Sequence, residues 1–193
     1  MAEHTYAADT PDTSHAAKDA VRVRLRQLRR ERVPERDRAA DAEEIELAAL
    51  HAAHEVGVRE GDWVAAYESM PSEPPTEGLI GALTSRGIRV MLPVTQPDWS
   101  LDWKEAGTDA SLGPDAVRAA RVVFVPAHGV DATGMRIGRG KGCYDRTLPH
   151  VTGRVVALVH PWEVLDEPLP SDAHDRPVDA VIAAGIGLRS LRA

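Results

Sequence analysis

In the run Gly134-Met135-Arg136-Ile137-Gly138-Arg139-Gly140-Lys141-Gly142-Cys143-Tyr144-Asp145-Arg146, glycines alternate with basic residues and an aspartate follows at once. Glycine lets the backbone turn at positive φ and approach a ligand without a Cβ in the way. Arg and Lys supply charge and donors for phosphate oxygens. Asp145 is placed to hold a divalent metal beside them. The run reads as a seat for a phosphorylated ligand, a nucleotide in particular. The competing reading is a glycine-rich β-turn with Arg and Lys in solvent. The spacing is neither GxGxxG nor GxxxxGK[ST], and no Ser or Thr follows Lys141, so a Walker-type site is not expected.

A second basic group is Lys18, Arg22, Arg26 and Arg29 or Arg30. Spacings of three and four bring these onto one side of a helix. By residue type alone this is a solvated face with Glu31 and Glu35 nearby. His128, His160 and His174 do not have metal-ligand spacing. Cys143 is the single cysteine, so no intrachain disulfide or cysteine cluster forms. No base accompanies it, and it reads as a structural thiol.

These groups must be positioned by a chain of 193 residues, enough to bury a core without staples. The apolar fraction is 43% and aromatics are 4%, so Val, Leu, Ile and Ala must fill that core. A net charge of -7 argues against a dedicated nucleic-acid binder. No apolar run of about 18 residues is present, so no membrane span is expected. Met1 to Ala16 is polar, without an apolar signal core. A cytoplasmic protein is expected, with residues 1–16 a disordered leader and 17–193 one domain.

The elements follow from periodicity. Helix one is predicted from His15 to Arg32 with Thr13 or Ser14 as cap, and Val21, Leu25 and Leu28 as a thin apolar stripe. Pro34 opens helix two, Glu35 to Val56, with Ile45, Ala48, Ala49 and Ala52 inward and Gly57 closing it. Trp63–Tyr67 is a strand and 68–75 a proline-rich loop. Thr76 caps a helix to Thr84 or Ser85. Ile88–Leu92 is a strand ending at Pro93. Thr95–Pro114 is irregular, with Trp99 and Trp103, and a helix follows to Ala120. Val122–Val125 is a strand buried on both faces. Cys143–Leu148 is a short helix, Val155–Val159 a strand, and Asp179–Ala183 the last strand. Strands alternating with helices imply an α/β fold with a mostly parallel sheet. The glycine run then lies beyond a buried strand and before a helix, where ligands of such sheets bind.

The glycine run resembles the signature of the 5-formyltetrahydrofolate cyclo-ligase family, also called 5,10-methenyltetrahydrofolate synthetase. Other segments agree in order: Lys18-x-x-Val21-Arg22, Tyr67-x-x-Met70-x-x-Glu73, Val125-Pro126 with Asp131, and His174-Asp175-x-x-Val178-Asp179. The resemblance covers Lys18 to Ala183. Cys143 stands where that family usually has the first of two tyrosines, and the segment before Asp115 is shorter than usual.

The resemblance implies a single three-layer α/β/α domain similar to the ribose-5-phosphate isomerase and CoA-transferase architecture. It implies a ligase that uses ATP and Mg²⁺ to convert 5-formyltetrahydrofolate to 5,10-methenyltetrahydrofolate, releasing ADP and phosphate. On it, Lys18, Arg22, Gly138, Arg139, Gly140, Lys141, Gly142 and Tyr144 would meet ATP. Arg139, Lys141 and Asp145 would be catalytic, with Asp145 the Mg²⁺ ligand. Met70 and Glu73 would meet the reduced folate, and His174-Asp175 would be architectural. Arg26, Arg29 and Arg30 keep the solvated-face reading. The family precedent allows a monomer or homodimer. The alternative is a divergent member with another second substrate, or one that binds nucleotide or folate as a regulator.

Overall fold

The computed structural model describes residues 13–172 and 175–191. Its helices are α1 (Thr13–Arg32), α2 (Arg38–Glu55), α3 (Glu77–Ser85) and α4 (Cys143–Thr147). Its strands are β1 (Trp63–Ala65), β2 (Arg89–Thr95), β3 (Leu101–Glu105), β4 (Ala120–Pro126), β5 (Gly129–Asp131), β6 (Arg136–Ile137), β7 (Arg154–Leu158), β8 (Val164–Leu165), β9 (Ala180–Ala183) and β10 (Gly187–Ser190). A seven-stranded sheet runs β10-β9-β7-β4-β1-β2-β3, and a small one runs β6-β5-β8. In the large sheet the β9-β7-β4-β1-β2 pairs are parallel, and both edge pairs are antiparallel. The architecture is α/β with a mixed sheet, parallel at its centre.

Side chains of a strand alternate between faces, and here both faces are buried. On β4, Val122 and Phe124 join the core under α2 and α3, while Val123 and Val125 join the opposite one. The same alternation holds for Val156 and Leu158 against Ala157 on β7. Ile45, Ala49 and Ala52 of α2 and Leu79 and Leu83 of α3 fill the first core. Val117, Leu148 and Trp103 fill the second. Leu25 of α1 packs separately, with Ile137 and Leu169, and so docks α1 on the small sheet.

Several expectations need correction. Pro34 sits in a 3-10 turn, Val33–Glu35, and α2 begins at Arg38. Asp37 caps it, its carboxylate accepting from Ala39 N at 3.0 Å and Ala40 N at 3.1 Å. Pro93 does not end its strand; β2 continues to Thr95 and pairs with β3. β1 has ended by then, at Ala65 opposite Met91, so the missing N–H removes no bond on that side. The segment 95–114 is not irregular throughout. Leu101 and Trp103 of β3 face inward, and Trp103 is fully buried. The 114–119 segment is a 3-10 helix. Strand β9 is not the last, because Gly185 and Gly187, both at positive φ, turn the chain into β10. Helix α1 starts at Thr13, ahead of the expected leader boundary. Residues 1–12 and His174 lie outside the described ones.

Candidate functional site

The glycine run is built from Asp131 outward. This buried carboxylate accepts at Oδ1 from Thr133 N (2.8 Å), Thr133 Oγ1 (2.6 Å) and Met135 N (3.1 Å). At Oδ2 it accepts from Leu169 N (2.8 Å). It therefore fixes the β5–β6 turn and the 165–172 loop together. Gly134 completes that turn at φ 85°, where a Cβ would lie 2.4 Å from Val178 O. The chain then passes through β6 into Gly138–Gly142 and enters α4, with Gly140 and Gly142 at positive φ.

The basic face of α1 is solvated only in part: Arg26 and Arg30 are exposed, although both line the cleft, while Arg29 is buried. Arg22 Nε donates to Gly138 O at 3.1 Å, and Arg26 Nη2 to Arg139 O at 3.2 Å. Arg29 is buried, donating to Glu163 through Nε (2.6 Å) and Nη2 (2.9 Å) and to Ala127 O (2.6 Å). One helical stripe thus carries the glycine loop and the end of β4. The solvated-face expectation fails for Arg29 because its partner lies 134 positions away in sequence.

The loop after β1 is fixed from two sides. Thr76, expected to cap α3, makes no capping bond. Its hydroxyl donates to Tyr67 O at 2.6 Å and accepts from Ser69 N at 3.1 Å. Arg38 at the start of α2 donates to Glu73 O at 2.9 Å and Ser69 Oγ at 2.9 Å. Glu73 is therefore buried, its Oε2 accepting from Met70 N at 2.9 Å.

Both loops open on one cleft of about 1030 Å³, at the upper end of the ~300–1,000 Å³ usual for small-molecule sites. Arg22, Met70, Glu73, Gly138, Arg139, Gly140, Lys141, Gly142, Tyr144 and Asp145 all line it. Arg139 Nη1 lies 2.6 Å from Met70 Sδ, across the opening. Lys141 Nζ sits 4.3 Å from the centroid of Trp99, a cation–π contact. Trp99 holds φ 66°, a left-handed conformation that costs a non-glycine residue about 1–3 kcal/mol. Trp99 thus belongs to the cleft and Trp103 to the core. The floor holds enclosed polar atoms without protein partners: Tyr67 Oη, Tyr144 Oη, His128 Nδ1 and Arg136 Nε. Burial, with Glu73 nearby, raises both tyrosine hydroxyls above their ordinary pKa, so they remain donors.

Lys18 stands apart from this cleft. It lines a smaller recess of about 200 Å³ that shares Arg22, Gly138, Gly140, Gly142 and Asp145 with it. Its ammonium is paired with Asp172 (2.5 Å) and Asp175 (2.6 Å). Burial opposes the charged form, but these partners outweigh it and hold the Lys18 pKa above its ordinary value.

Asp145 pairs with Arg136 Nη2 and is 41% exposed. Among the described residues no group of three or more His, Cys, Asp or Glu is arranged to hold a metal ion. Mg²⁺ needs no such cage, since it keeps several waters and is commonly held by one or two carboxylates and substrate phosphates. Asp145, half-exposed beside the glycine loop, fits that manner of binding once the ion takes the place of the Arg136 guanidinium. Cys143 is half-buried, packs against the second core and also lines the cleft. Among the described residues, no helix is long and apolar enough to cross a membrane.

Arg29 and His128 line the cleft, and Glu163 and His160 brace it from behind; sequence patterns singled out none of the four for the site. The available signal was position: His128 and His160 follow the carboxyl ends of β4 and β7, where α/β sheets bind ligands. His160 Nε2 contacts Ser72 O at 3.2 Å, while Glu163 Oε2 accepts from His160 N at 2.9 Å.

The profile of the 5-formyltetrahydrofolate cyclo-ligase family matches residues 14–184. A 5-formyltetrahydrofolate cyclo-ligase of Mycolicibacterium smegmatis is 35% identical over 202 residues, spanning 93% of this chain and all of that one. The 5,10-methenyltetrahydrofolate synthetase of Aquifex aeolicus has a similar structure, with TM-score 0.71 at 23% identity over 91% of this chain and 93% of that one. That of Mycoplasma pneumoniae gives 0.68 at 19%, over 85% and 96%. The profile match and the 35% identity make the chain an enzyme of the 5-formyltetrahydrofolate cyclo-ligase family.

Proposed function

We propose that the protein cyclises 5-formyltetrahydrofolate to 5,10-methenyltetrahydrofolate, with ATP converted to ADP and phosphate. Supporting this is one observation above all: a basic glycine loop and the buried Glu73 face each other in a single cleft. The formyl oxygen is a poor leaving group. That oxygen attacks the γ-phosphorus of ATP, the phosphoryl group passes to it as ADP departs, and an imidate phosphate results. N10 then attacks the activated carbon and gives up its proton to solvent, and phosphate carries that oxygen away as the ring closes.

In this reading Arg139, Lys141 and the Gly138–Gly142 backbone hold the triphosphate and offset charge on the transferred group. Arg22 orients the loop and reaches the same ligand. Asp145 would hold Mg²⁺, which when bound neutralises phosphate charge. Glu73 offers its carboxylate to the pterin amide and amino donors, with Met70 as an apolar wall. Tyr144 supplies a hydroxyl donor to the cleft floor. Lys18, bound by Asp172 and Asp175, takes part in phosphate binding only on release from them. We assign residues 17–193 to one domain of the three-layer kind seen in ribose-5-phosphate isomerase and CoA-transferases. The protein acts in the cytoplasm as a monomer or homodimer, without nucleic-acid or membrane partners.

The test is purified protein with 5-formyltetrahydrofolate, Mg²⁺ and ATP, following methenyl absorbance together with ADP. Matched formation of both products is expected. ADP without methenyl product would point to another acceptor, and neither product with both ligands bound would make the chain a binding protein.

A further inference from the structure

One cleft residue has no task in the scheme above. His128 follows the carboxyl end of β4, is only 5% exposed and lines the cleft. Its backbone is fixed, His128 N donating to Ile137 O at 2.7 Å. Its Nδ1 is enclosed and has no hydrogen-bond partner. Buried polar groups are normally satisfied, and an exception at the wall of a cleft calls for a reason.

The surroundings supply one. Arg22, Arg26 and Arg29 approach from α1 and Arg139 from the glycine loop, and Arg29 is neutralised by Glu163. Burial first, and these charges second, push the imidazole pKa down to about 3, so the ring is neutral. A neutral imidazole carries one N–H and one lone pair. With Nδ1 enclosed beside cationic neighbours, the lone pair belongs there and the proton on Nε2. His128 thereby offers a donor among arginines without adding to their charge.

We propose that His128 is a specificity-determining residue whose Nε2–H donates to an anionic oxygen of the ligand at the arginine-lined end of the cleft. The oxygen is phosphoryl or carboxylate. Arginines attract either, but over a broad range of directions. A single N–H on a buried, backbone-anchored ring selects one position. This deepens the proposed folate reading, on which it rests for the choice of probes.

The experiment uses protein labelled with ¹⁵N-histidine, the His128 ring signal being assigned by its loss in His128→Gln. Tripolyphosphate and N-(4-aminobenzoyl)-L-glutamate are titrated separately. We expect the His128 Nε2 signal to move to saturation with one of them, tripolyphosphate marking a phosphoryl oxygen and the glutamate probe a carboxylate. His128→Leu weakens that same probe by about tenfold or more, as loss of a hydrogen bond to a charged group does. His128→Gln, which keeps an N–H near the Nε2 position, stays within about threefold. A His128 signal unmoved by either probe at saturation overturns the inference, as does wild-type affinity for both in His128→Leu. The wild-type titration needs no variant to fold. A moving signal in a protein that forms no methenyl product counts against the reaction and upholds the role of His128.

Discussion

Arg29 of α1 and Glu163 form a two-pronged ion pair, Nε to Oε1 at 2.6 Å and Nη2 to Oε2 at 2.9 Å. The side chains are 5% and 0% exposed. Arg29 also holds Ala127 O, and Glu163 holds His160 N, so the pair ties α1 to the ends of β4 and β7. Desolvation is the larger influence on Glu163 and raises its pKa, with Arg29 opposing it. Breaking such a pair leaves a charge buried alone, at a cost of about 3–5 kcal/mol. Glu163→Ala should lose that much in urea unfolding. Arg29→Met with Glu163→Leu should recover part of it, but not all, because the Ala127 and His160 bonds stay broken. A single-variant loss below about 1 kcal/mol would contradict this account of the pair.

Lys141 is expected to act on ATP rather than folate. Lys141→Ala should reduce kcat/KM for ATP by at least tenfold, while KM for the folate changes less than about threefold. Steady-state kinetics with each substrate varied in turn separates the two. An unchanged kcat/KM for ATP would remove Lys141 from the phosphate-holding set.

Glu73 is expected to show the opposite pattern. Its Oε2 is partly committed to Met70 N. Glu73→Ala removes both the loop bond and the carboxylate, while Glu73→Gln keeps a carbonyl acceptor for Met70 N. Both should raise KM for the folate, by about tenfold or more, with KM for ATP little altered. If Glu73→Gln behaves as wild type and only Glu73→Ala fails, the role of Glu73 is confined to shaping the loop.

The buried histidines set a pH dependence. Burial, aided by nearby arginines, lowers His128 to about 3 and His160 to about 4, from an ordinary value of 6.5. Between those values and 6.5 the unfolded chain binds protons that the folded chain does not. Stability is therefore full above pH 6.5 and falls as pH drops through that window. Urea midpoints should decline from pH 7 to pH 4, and His128→Gln should flatten part of the slope. Equal slopes in both proteins would show that His128 does not contribute.

The central strands and the glycine loop were legible because their signals are local. Val122–Val125 is a continuous apolar run, and the basic glycine run is contiguous. Strand β3 was legible in principle, since Leu101-Asp102-Trp103-Lys104 alternates apolar and polar, but Pro93 made its partner look finished. The burial of Arg29 was not legible, because an arginine among arginines on a helix reads as solvated until Glu163 is placed beside it. The pairing of Lys18 with Asp172 and Asp175 was hidden for the same reason, with 154 and 157 positions between partners.

Arg22 and Arg26 grip the glycine loop by the carbonyls of Gly138 and Arg139. A carbonyl is the same group whatever side chain its residue bears. The anchorage is therefore indifferent to the identity of residue 139, provided the backbone path is kept. Position and chemistry are separable in this loop: a substitution at residue 139 should remove the guanidinium from the cleft without moving the backbone, because the two arginines on α1 hold that frame.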